Sequence, residues 1–307
     1  AGSDRYGVDF SDVKGQFYAR RAIEIAVAGG HNILMIGPPG AGKTLMAKCV
    51  PTIMPDMTFE EAIEVTKIHS VAGILDPNKG IVTTRPFRAP HHTATIPALT
   101  GGGVFARPGE VSLAHNGVLF LDEVPEYQRR TLESLRQPLE DGVVTVARAR
   151  ATAEYPARFM LVAGMNPCPC GNFGSPTREC RCTPAEIRRY VNKLSGPLLD
   201  RIDLHVEVDG VSYDELQGDE PSEDSATIKA RVEKARAVQR ERYAGKKNFT
   251  NAGMDNADMR RYCRLSREGD EILREAYNRL NLTARAGTRI LKVARTIADL
   301  AGDEDIK

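Results

Sequence analysis

A chain of 307 residues with a formal net charge of +1 at pH 7 has no overall attraction to nucleic acid or to a membrane surface, so electrostatic binding must come from local clusters. Its 41% hydrophobic content is enough to bury a sizeable core in one large domain or two unequal ones. No apolar run approaches the roughly 18 residues needed to span a bilayer, and we expect a soluble, cytoplasmic protein. Because the chain opens on Ala1-Gly2-Ser3 without a Met, we expect it to be a fragment of a longer protein.

Four short apolar runs predict the strands of a mostly parallel sheet. Helical or loop-like sequence separates each run from the next, and this alternation is typical of an α/β fold with helices covering the sheet. The runs comprise residues 31–37, 117–121, 159–163 and 204–208. Residues 1–210 are therefore predicted to form an α/β domain.

The character of the sequence changes after Val208. Residues 209–224 are polar and acidic and contain Gly and Pro, which predicts a linker at 211–225. Amphipathic patterns of helical period follow, at residues 226–243, 267–280 and 284–300. We therefore predict a small all-helical domain at 226–307, cut short at its C-terminus.

A phosphate-binding loop is predicted between the first strand and a helix, because the sequence there matches G-x-x-x-x-G-K-[ST] in the right context. Glycines let backbone N–H groups turn inward around phosphates, Lys43 reaches the β and γ oxygens, and the Thr44 hydroxyl can ligate magnesium. A glycine-rich turn that matches by chance is the alternative. We predict ATP and Mg²⁺ as cofactors, and the nucleotide-binding residues are Gly37, Pro38, Pro39, Gly40, Ala41, Gly42, Lys43, Thr44 and Leu45.

Polar side chains follow two of the predicted strands. Asp122 and Glu123 end the second strand, at the carboxyl edge of the sheet where such folds bind ligands. We predict that Asp122 is a magnesium-side carboxylate and that Glu123 orients the attacking water, since phosphoryl transfer needs a positioned nucleophile. Asn166 follows the third strand, where its amide is predicted to meet the γ-phosphate or the water. A turn-forming Asn before Pro167 is the competing explanation.

Taken together, these motifs resemble those of AAA+ ATPases, and specifically of the magnesium-chelatase-like branch, over about residues 8–300. Within that branch, three stretches are similar to the bacterial ComM family, also called YifB: residues 9–16 (DFSDVKGQ), 85–92 (RPFRAPHH) and 195–203 (SGPLLDRID). The resemblance implies a three-layer AAA+ domain around a parallel central sheet, followed by a small helical lid domain. It also implies that Asn166 is the first sensor residue.

Three arginines have roles that only the resemblance implies. Arg201 would be an arginine finger, reaching into a neighbouring subunit's ATP site to stabilise transition-state charge. A salt bridge to Asp200 or Asp203 is its alternative role. Arg285 would be the second sensor arginine of the helical lid. Arg289, one helical turn later, is the fallback, because spacing alone does not separate the two.

Four of the six cysteines lie close together in the sequence, in two C-x-C pairs with nine residues between them. The pairs are Cys168 with Cys170 and Cys180 with Cys182. Four thiolates suffice for a closed tetrahedral zinc site, which leaves no open position for a substrate. Because a polar loop rich in Gly and Pro has little else to order it, we predict a structural Zn²⁺ there. Four reduced thiols without a ligand are the alternative.

Two segments are locally cationic. Residues 79–107 contain four Lys or Arg, two His and no acid. A hairpin is predicted from strands at 143–147 and 151–155, with Arg148 and Arg150 near its tip. By composition alone, a solvated loop explains either segment. The family resemblance implies instead that insertions at these places project into the central pore of a ring, where their side chains track a phosphate backbone.

The resemblance leaves two functions open. The first is a ring-shaped homo-oligomer, a hexamer, that hydrolyses ATP and moves along single-stranded or branched DNA. For the ComM family this means branch migration during recombination in natural transformation. The second is a chelatase-type ATPase that remodels a partner protein for metal insertion into a tetrapyrrole. The basic segments favour the first, and salt-dependent binding to DNA would discriminate them, because a chelatase motor subunit should show little.

Overall fold

The computed structural model describes residues 5–147, 152–194, 196–218 and 222–307. The strands are β1 (Ile33–Ile36), β2 (Phe87–Arg88), β3 (Gly101–Gly102), β4 (Arg107–Pro108), β5 (Val118–Leu121), β6 (Val143–Ala147), β7 (Thr152–Pro156), β8 (Met160–Met165) and β9 (Leu204–Glu207). The α-helices are α1 (Phe17–Gly29), α2 (Lys43–Ile53), α3 (Phe59–Val71), α4 (Ile96–Thr100), α5 (Glu110–Leu113), α6 (Arg129–Glu133), α7 (Arg136–Asp141), α8 (Pro184–Val191), α9 (Gly196–Leu199), α10 (Tyr213–Gln217), α11 (Ser225–Arg242), α12 (Asn256–Tyr262), α13 (Arg267–Leu280) and α14 (Ala284–Ala301).

Five strands form one parallel sheet in the order β2-β5-β8-β1-β9. β1 lies between β8 and β9, with Ile33 opposite Val162 on one side and Leu204 on the other. The parallel sheet confirms the predicted fold class, and the four predicted strands are its β1, β5, β8 and β9. β2 is not among the predicted strands, because its two residues are too few for a periodic pattern. The carboxyl ends of all five strands meet at one edge of the sheet.

Helices cover both faces of the sheet, because each buried strand sends alternate side chains to opposite sides. Ile33 and Met35 of β1 pack with residues of α1, α2 and α11. Leu34 packs on the other face with residues of α5, α6 and α8. Burial on both faces explains why β1, β5 and β8 are short continuous apolar runs in the sequence. The layers are those of the predicted α/β domain.

The region after β9 is helical, as predicted, and three of its helices correspond to the three amphipathic patterns. α11 lies against α1 and α2, and α14 lies against α1 and α11. The buried side chain of His31, just before β1, bridges Asp203 Oδ2 at 2.8 Å and Thr296 Oγ1 of α14 at 2.7 Å. α14 is therefore hydrogen-bonded to the amino edge of the sheet. Over the described residues, no helix has the length and apolar character needed to cross a membrane.

Two antiparallel hairpins lie side by side, one formed by β3 and β4 and the other by β6 and β7. The second confirms the hairpin that the sequence predicts. The Tyr155 hydroxyl of β7 donates to the carbonyl oxygen of Ala106, between β3 and β4, at 2.6 Å. Arg148 and Arg150, expected near the tip of the second hairpin, lie outside the residues that the structure describes.

Candidate functional site

The predicted phosphate-binding loop joins β1 to α2 at the carboxyl edge of the sheet. Gly40 and Gly42 have left-handed φ angles of +77° and +91°, which residues with a β-carbon rarely adopt. Gly37 lies so close to β9 that an added β-carbon would fall 2.4 Å from the carbonyl oxygen of Val208. Its N–H donates to the carbonyl of Met165 in β8 at 3.0 Å. The start of the loop is therefore held between β8 and β9, the two strands that flank β1, with open space around Gly40 and Gly42.

Lys43 begins α2, and its ammonium group is buried among oxygen atoms. Its Nζ donates to the carbonyl of Gly37 and, at 3.1 Å, to Oδ1 of Asn166. Burial lowers the pKa of Lys43, and the charges of Asp122 and Glu123 oppose that lowering. The ammonium group therefore lies where the loop and the ends of β5 and β8 converge.

The acidic pair follows β5 directly. The N–H of Glu123 donates to Asp122 Oδ1 at 2.9 Å. Gly164 of β8 makes room for the Asp122 side chain, since an added β-carbon there would lie 2.8 Å from Oδ1. Glu123 adopts a left-handed conformation, with φ at 52° and ψ at 46°, and its side chain is 54% exposed. Such a backbone costs about 1–3 kcal/mol and recurs at functional sites, where it aims a side chain.

The structure brings the predicted nucleotide residues together at this edge of the sheet. Lys43, Asp122, Glu123 and Asn166 surround the loop, and Thr44 is exposed in the first turn of α2. Carboxylate and hydroxyl oxygens are ligands that Mg²⁺ prefers, and N–H groups at a helix N-terminus attract phosphate. The donor set fits a magnesium-bound nucleotide. The side chain of the remaining loop residue, Leu45, packs against the core.

Two residues near this site are absent from the sequence-based set. His92, which follows β2, has its Nε2 3.8 Å from Glu123 Oε2. Gln16 has a left-handed φ of 58°, and its Nε2 donates to the carbonyls of Ala41, at 3.2 Å, and Asp209, at 2.5 Å. Gln16 ends the stretch DFSDVKGQ, and His92 ends the stretch RPFRAPHH. These stretches are long enough to indicate a family, but their pattern assigns no role to either residue.

The predicted arginine finger lies at the opposite edge of the sheet from the phosphate loop. The side-chain amide of Asn32, before β1, donates to the carbonyl oxygen of Arg201 at 2.9 Å. The Arg201 guanidinium pairs with Glu140 at 2.9 Å and is 44% exposed. Its partner among the described residues is thus neither Asp200 nor Asp203. Four residues of β1, at about 3.3 Å each, separate this edge from the loop, so Arg201 does not serve the phosphates of its own chain.

The two lid arginines lie beside Arg201. Arg285 NH1 pairs with Asp200 Oδ2 at 2.6 Å, and Arg289 NH1 donates to the carbonyl of Leu199 at 3.0 Å. All three arginines line one groove of about 630 Å³. The structure does not bring Arg285 or Arg289 to the phosphate loop of the same chain.

The four clustered cysteines converge in space. Their Sγ atoms all lie within 4.8 Å of one another, and Cys180 Sγ is 3.7 Å from both Cys168 and Cys170. A tetrahedral site with Zn–S bonds of about 2.3 Å places its sulfurs about 3.8 Å apart. The pKa of Cys170 is lowered to about 6 by the backbone N–H groups of Asn172 and Arg181. The donor set and its spacing fit a Zn²⁺ ion.

Comparison with known proteins identifies relatives along the whole chain. The family described as "Magnesium chelatase, subunit ChlI" matches residues 9–216, and "Magnesium chelatase, subunit ChlI C-terminal" matches residues 222–307. The chain is 47% identical over 306 residues to the competence protein ComM of Haemophilus influenzae, covering 99% of this chain and 58% of ComM. It is also 47% identical over 296 residues to YifB of Escherichia coli, covering 95% of this chain and 56% of YifB.

A more distant similarity connects the chain to a chelatase subunit. The 38 kDa magnesium-chelatase subunit of Rhodobacter capsulatus is 24% identical over 177 residues, covering 52% of this chain and 50% of that subunit. The chain spans less than two thirds of the length of ComM, YifB and this subunit alike.

Proposed function

Since the chain belongs to the magnesium chelatase ChlI family of AAA+ ATPases, we propose that it hydrolyses ATP as the motor of a ring of identical subunits that moves along DNA. The ring is a hexamer that drives branch migration of DNA during recombination. The Haemophilus influenzae relative is named a competence protein, which supports a role in the recombination of incoming DNA in natural transformation. The observation that carries the DNA assignment is the pair of adjoining hairpins, β3–β4 and β6–β7.

The residues at the carboxyl edge support ATP hydrolysis by positioning and charge stabilisation. Lys43 holds β- and γ-phosphate oxygens, and Thr44 and Asp122 hold the Mg²⁺ that comes with the nucleotide. The bound Mg²⁺ neutralises charge on the phosphates. Glu123, exposed next to Asp122, orients the attacking water. Asn166 hydrogen-bonds Lys43 and lies within reach of the γ-phosphate or the water.

The position of the three arginines supports a ring. Arg201, Arg285 and Arg289 lie together at the amino edge of the sheet, away from the phosphate loop of their own chain. A head-to-tail assembly joins one face of each subunit to a different face of the next, and it closes into a ring when the rotation permits. In such a ring these arginines meet the ATP of a neighbour. Arg201 then supplies positive charge to the transition state, and Arg285 and Arg289 contact the same nucleotide of the neighbouring subunit.

The hairpin pair supports DNA as the substrate of the motor. Val104 and Phe105, between β3 and β4, are 81% and 74% exposed. The Arg107 guanidinium lies 5.9 Å from the centre of the Phe105 ring. An exposed aromatic ring next to a cation suits a stacked base and its phosphate, and stacking is worth about 1–3 kcal/mol per base. The second hairpin, held to the first through Tyr155, adds the basic pair Arg148 and Arg150 predicted from the sequence.

The alternative is a chelatase-type ATPase that remodels a partner protein. In its favour stands the similarity to the Rhodobacter capsulatus chelatase subunit, which extends over half of this chain at 24% identity. The similarity to ComM is 47% over nearly the whole chain, and the hairpins carry exposed aromatic and cationic groups. These observations favour the DNA motor.

We also infer that Cys168, Cys170, Cys180 and Cys182 hold one structural Zn²⁺ per chain. Elemental analysis of protein purified without chelator should find one zinc per chain, and changing Cys168 and Cys182 to Ser should abolish it. Purified protein that contains no metal would contradict this inference.

The proposed function is tested by measuring ATP hydrolysis with and without forked DNA. Forked DNA should raise the rate several-fold in the wild type. Phe105→Ala should remove most of that stimulation while leaving the rate without DNA unchanged. Phe249→Ala, which removes a ring that is 54% exposed outside the hairpins, should behave as the wild type does. A rate that DNA does not change, together with no measurable DNA binding, would favour the chelatase-type alternative.

A further inference from the structure

We propose that the cysteine loop, defined as residues 168–182, is a metal-held support of the ATP site, so that metal occupancy of the four cysteines controls nucleotide binding and turnover. This inference rests on the proposed ATP site at the phosphate loop. It adds to the proposed function that the metal supports nucleotide binding by ordering the cysteine loop, although the metal has no open position for substrate.

The cysteine loop begins next to atoms that position the catalytic lysine. Met165 and Asn166 end β8, and Cys168 follows them after a single residue. The Met165 carbonyl accepts from Lys43 Nζ at 3.3 Å and from the N–H of Gly37 at 3.0 Å, and Asn166 Oδ1 accepts from Lys43 Nζ at 3.1 Å. A shift of Cys168, which is fully buried, therefore moves the acceptors that hold the lysine and the start of the phosphate loop.

The cysteine loop also contacts the phosphate loop directly. Gly171 is buried and has a left-handed φ of +82°. An added β-carbon at Gly171 would lie 2.8 Å from Cδ of Pro39 and 4.0 Å from Cγ of Asn166. The backbone of the cysteine loop therefore packs on the phosphate loop and on the predicted sensor residue at the same point. Only a residue without a β-carbon allows this approach.

The far end of the cysteine loop returns to the same place. The Thr183 hydroxyl, one residue after Cys182, caps α8 by accepting from the N–H of Glu186 at 3.2 Å. α8 carries the buried Tyr190. Tyr190 belongs to the same buried core cluster as Met165, the last residue of β8. Both ends of the cysteine loop are therefore connected to the carboxyl end of β8, where the ATP site lies.

Little other than a metal orders the residues between these ends. Residues 168–182 contain no helix or strand, and the ring of Phe173 is 55% exposed. Apart from Cys168 and Gly171, the side chains and backbone of this loop are not buried. Metal binding to four thiolates closes the loop and releases the thiol protons, whereas the metal-free loop lacks a core that would hold Gly171 against Pro39. The position of Asn166 therefore depends on the metal.

Two glycines in the loop provide a matched pair of variants. Gly171 and Gly174 both have left-handed φ angles, +82° and +76°, so alanine strains the backbone similarly at each. A β-carbon at Gly171 meets Pro39, while one at Gly174 meets nothing within 4 Å. Gly171→Ala should keep its zinc and weaken binding of the fluorescent nucleotide N-methylanthraniloyl-ADP at least fivefold. Gly174→Ala should keep both zinc and wild-type affinity. Equal affinity in the two variants would contradict direct contact between the loops.

Metal dependence is tested on the wild-type chain and on Cys180→Ser/Cys182→Ser, which alters the two ligands farther along the chain from Asn166. Chelator-treated wild type should bind N-methylanthraniloyl-ADP at least tenfold more weakly, with its far-ultraviolet circular dichroism retained, and one equivalent of Zn²⁺ should restore the affinity. The Cys180→Ser/Cys182→Ser variant should show the same weak binding, and added Zn²⁺ should not restore it. Metal-free, folded chain that binds as tightly as the metal-loaded chain would overturn the proposed coupling while leaving the ATP site in place. A metal-loaded wild type that binds no nucleotide would instead overturn the proposed function.

Discussion

The side-chain amide of Asn32 donates to the backbone carbonyl of Arg201 at 2.9 Å, and this hydrogen bond fixes the predicted arginine finger at the amino end of β1. The phosphate loop begins at the carboxyl end of the same strand. One strand therefore connects the residues that bind the nucleotide to the residue predicted to complete a neighbour's site. Because the length of β1 separates them, Arg201 cannot reach the phosphate loop of its own chain. Its predicted role can therefore be tested by mixing two different variant subunits in one assembly.

Arg201→Ala should lower ATP hydrolysis roughly 10³-fold, as expected for loss of an arginine finger, while nucleotide affinity stays near that of the wild type. Mixing it with Lys43→Ala, which is also inactive alone, should restore activity. In a random equal mixture, roughly a quarter of the interfaces join an intact phosphate loop to an intact Arg201, because each variant makes up half of the subunits. Steady-state hydrolysis measured over a series of mixing ratios checks this.

The control for this mixture is the double variant Lys43→Ala/Arg201→Ala. It assembles with Arg201→Ala subunits but offers no arginine, so the mixture should stay inactive. No recovery with Lys43→Ala, in rings shown to contain both subunits, would mean that Arg201 is structural and serves the ion pair with Glu140.

The sequence predicts those parts of the fold and the candidate site that have a recognisable local sequence pattern. β1, β5 and β8 are continuous apolar runs because both faces of each strand are covered, whereas the edge strand β9 alternates half-buried Leu204 and Val206 with exposed His205 and Glu207. Lys43 belongs to the loop and helix motif that follows β1, Asp122 directly follows β5, and parallel strands bring their carboxyl ends to one edge. Their neighbourhood could therefore be predicted without knowledge of the packing.

Other features depend on tertiary packing and leave no local pattern. β2 has two residues, and β3 consists of Gly101 and Gly102, which carry no side-chain alternation. The contact between Gly171 and Pro39 joins loops that are far apart in sequence. The position of Arg285 beside Arg201 follows from how α14 packs on α1, which the amphipathic pattern of α14 does not determine.

Lys43→Ala and Glu123→Gln should separate nucleotide binding from hydrolysis. Lys43 is buried among oxygen atoms at the phosphate loop and is proposed to hold the phosphates, so its loss should weaken ATP binding at least about 100-fold, the scale of a lost charged contact. Glu123 is exposed beside Asp122 and is proposed to orient the attacking water, so Glu123→Gln should bind ATP normally and turn over at least about 100-fold more slowly. Isothermal titration with ATP and a hydrolysis assay on both variants measure the two effects. Wild-type ATP affinity in Lys43→Ala would remove the site assignment.

Stability should fall on mild acidification because of His115, which is fully buried. Its Nδ1 accepts from the backbone N–H of Arg158 at 3.0 Å, and its Nε2 faces Glu64 at 2.5 Å, so a further proton has no favourable position. Burial lowers the pKa of His115 below 6.5, and Glu64 only partly opposes this. Below about pH 6.5 the unfolded chain therefore binds a proton that the folded chain does not. In this range His115 lowers the free energy of unfolding by up to about 1.4 kcal/mol for each unit by which the pH is lowered.

Urea unfolding at pH 7.5 and pH 5.5 tests this contribution. His115→Gln should be less stable than the wild type at pH 7.5, because it disrupts the hydrogen bonds to Glu64 and Arg158. It should lose less stability than the wild type on acidification, because the titrating group is gone. His91→Gln changes an exposed histidine and should keep the wild-type pH dependence. Equal losses in wild type and His115→Gln would show that His115 does not titrate on unfolding in this range.

Arg148 and Arg150 should carry DNA affinity through the phosphate backbone. The sequence puts them between β6 and β7, the hairpin whose Tyr155 is hydrogen-bonded to the hairpin carrying Phe105 and Arg107. Replacing both with Ala should weaken binding about equally across DNA sequences. It should also reduce the slope of log K against log salt by up to about 0.7 to 0.9 per lost phosphate contact. ATP affinity should stay unchanged, because the phosphate loop follows β1 of the parallel sheet, whereas β6 and β7 form a separate two-stranded sheet.

Fluorescence anisotropy of labelled single-stranded and forked DNA over a salt series measures affinity and slope together. The matched control is Arg267→Ala/Arg274→Ala, which removes two positive charges from exposed ion pairs on α13. Because both double variants change the net charge by the same amount, a general loss of long-range attraction would weaken them equally. A contact made by the hairpin weakens only Arg148→Ala/Arg150→Ala. An unaltered slope and affinity in that variant would remove these arginines from the mechanism, whereas a wild type that never binds DNA tightly would point to a protein partner instead.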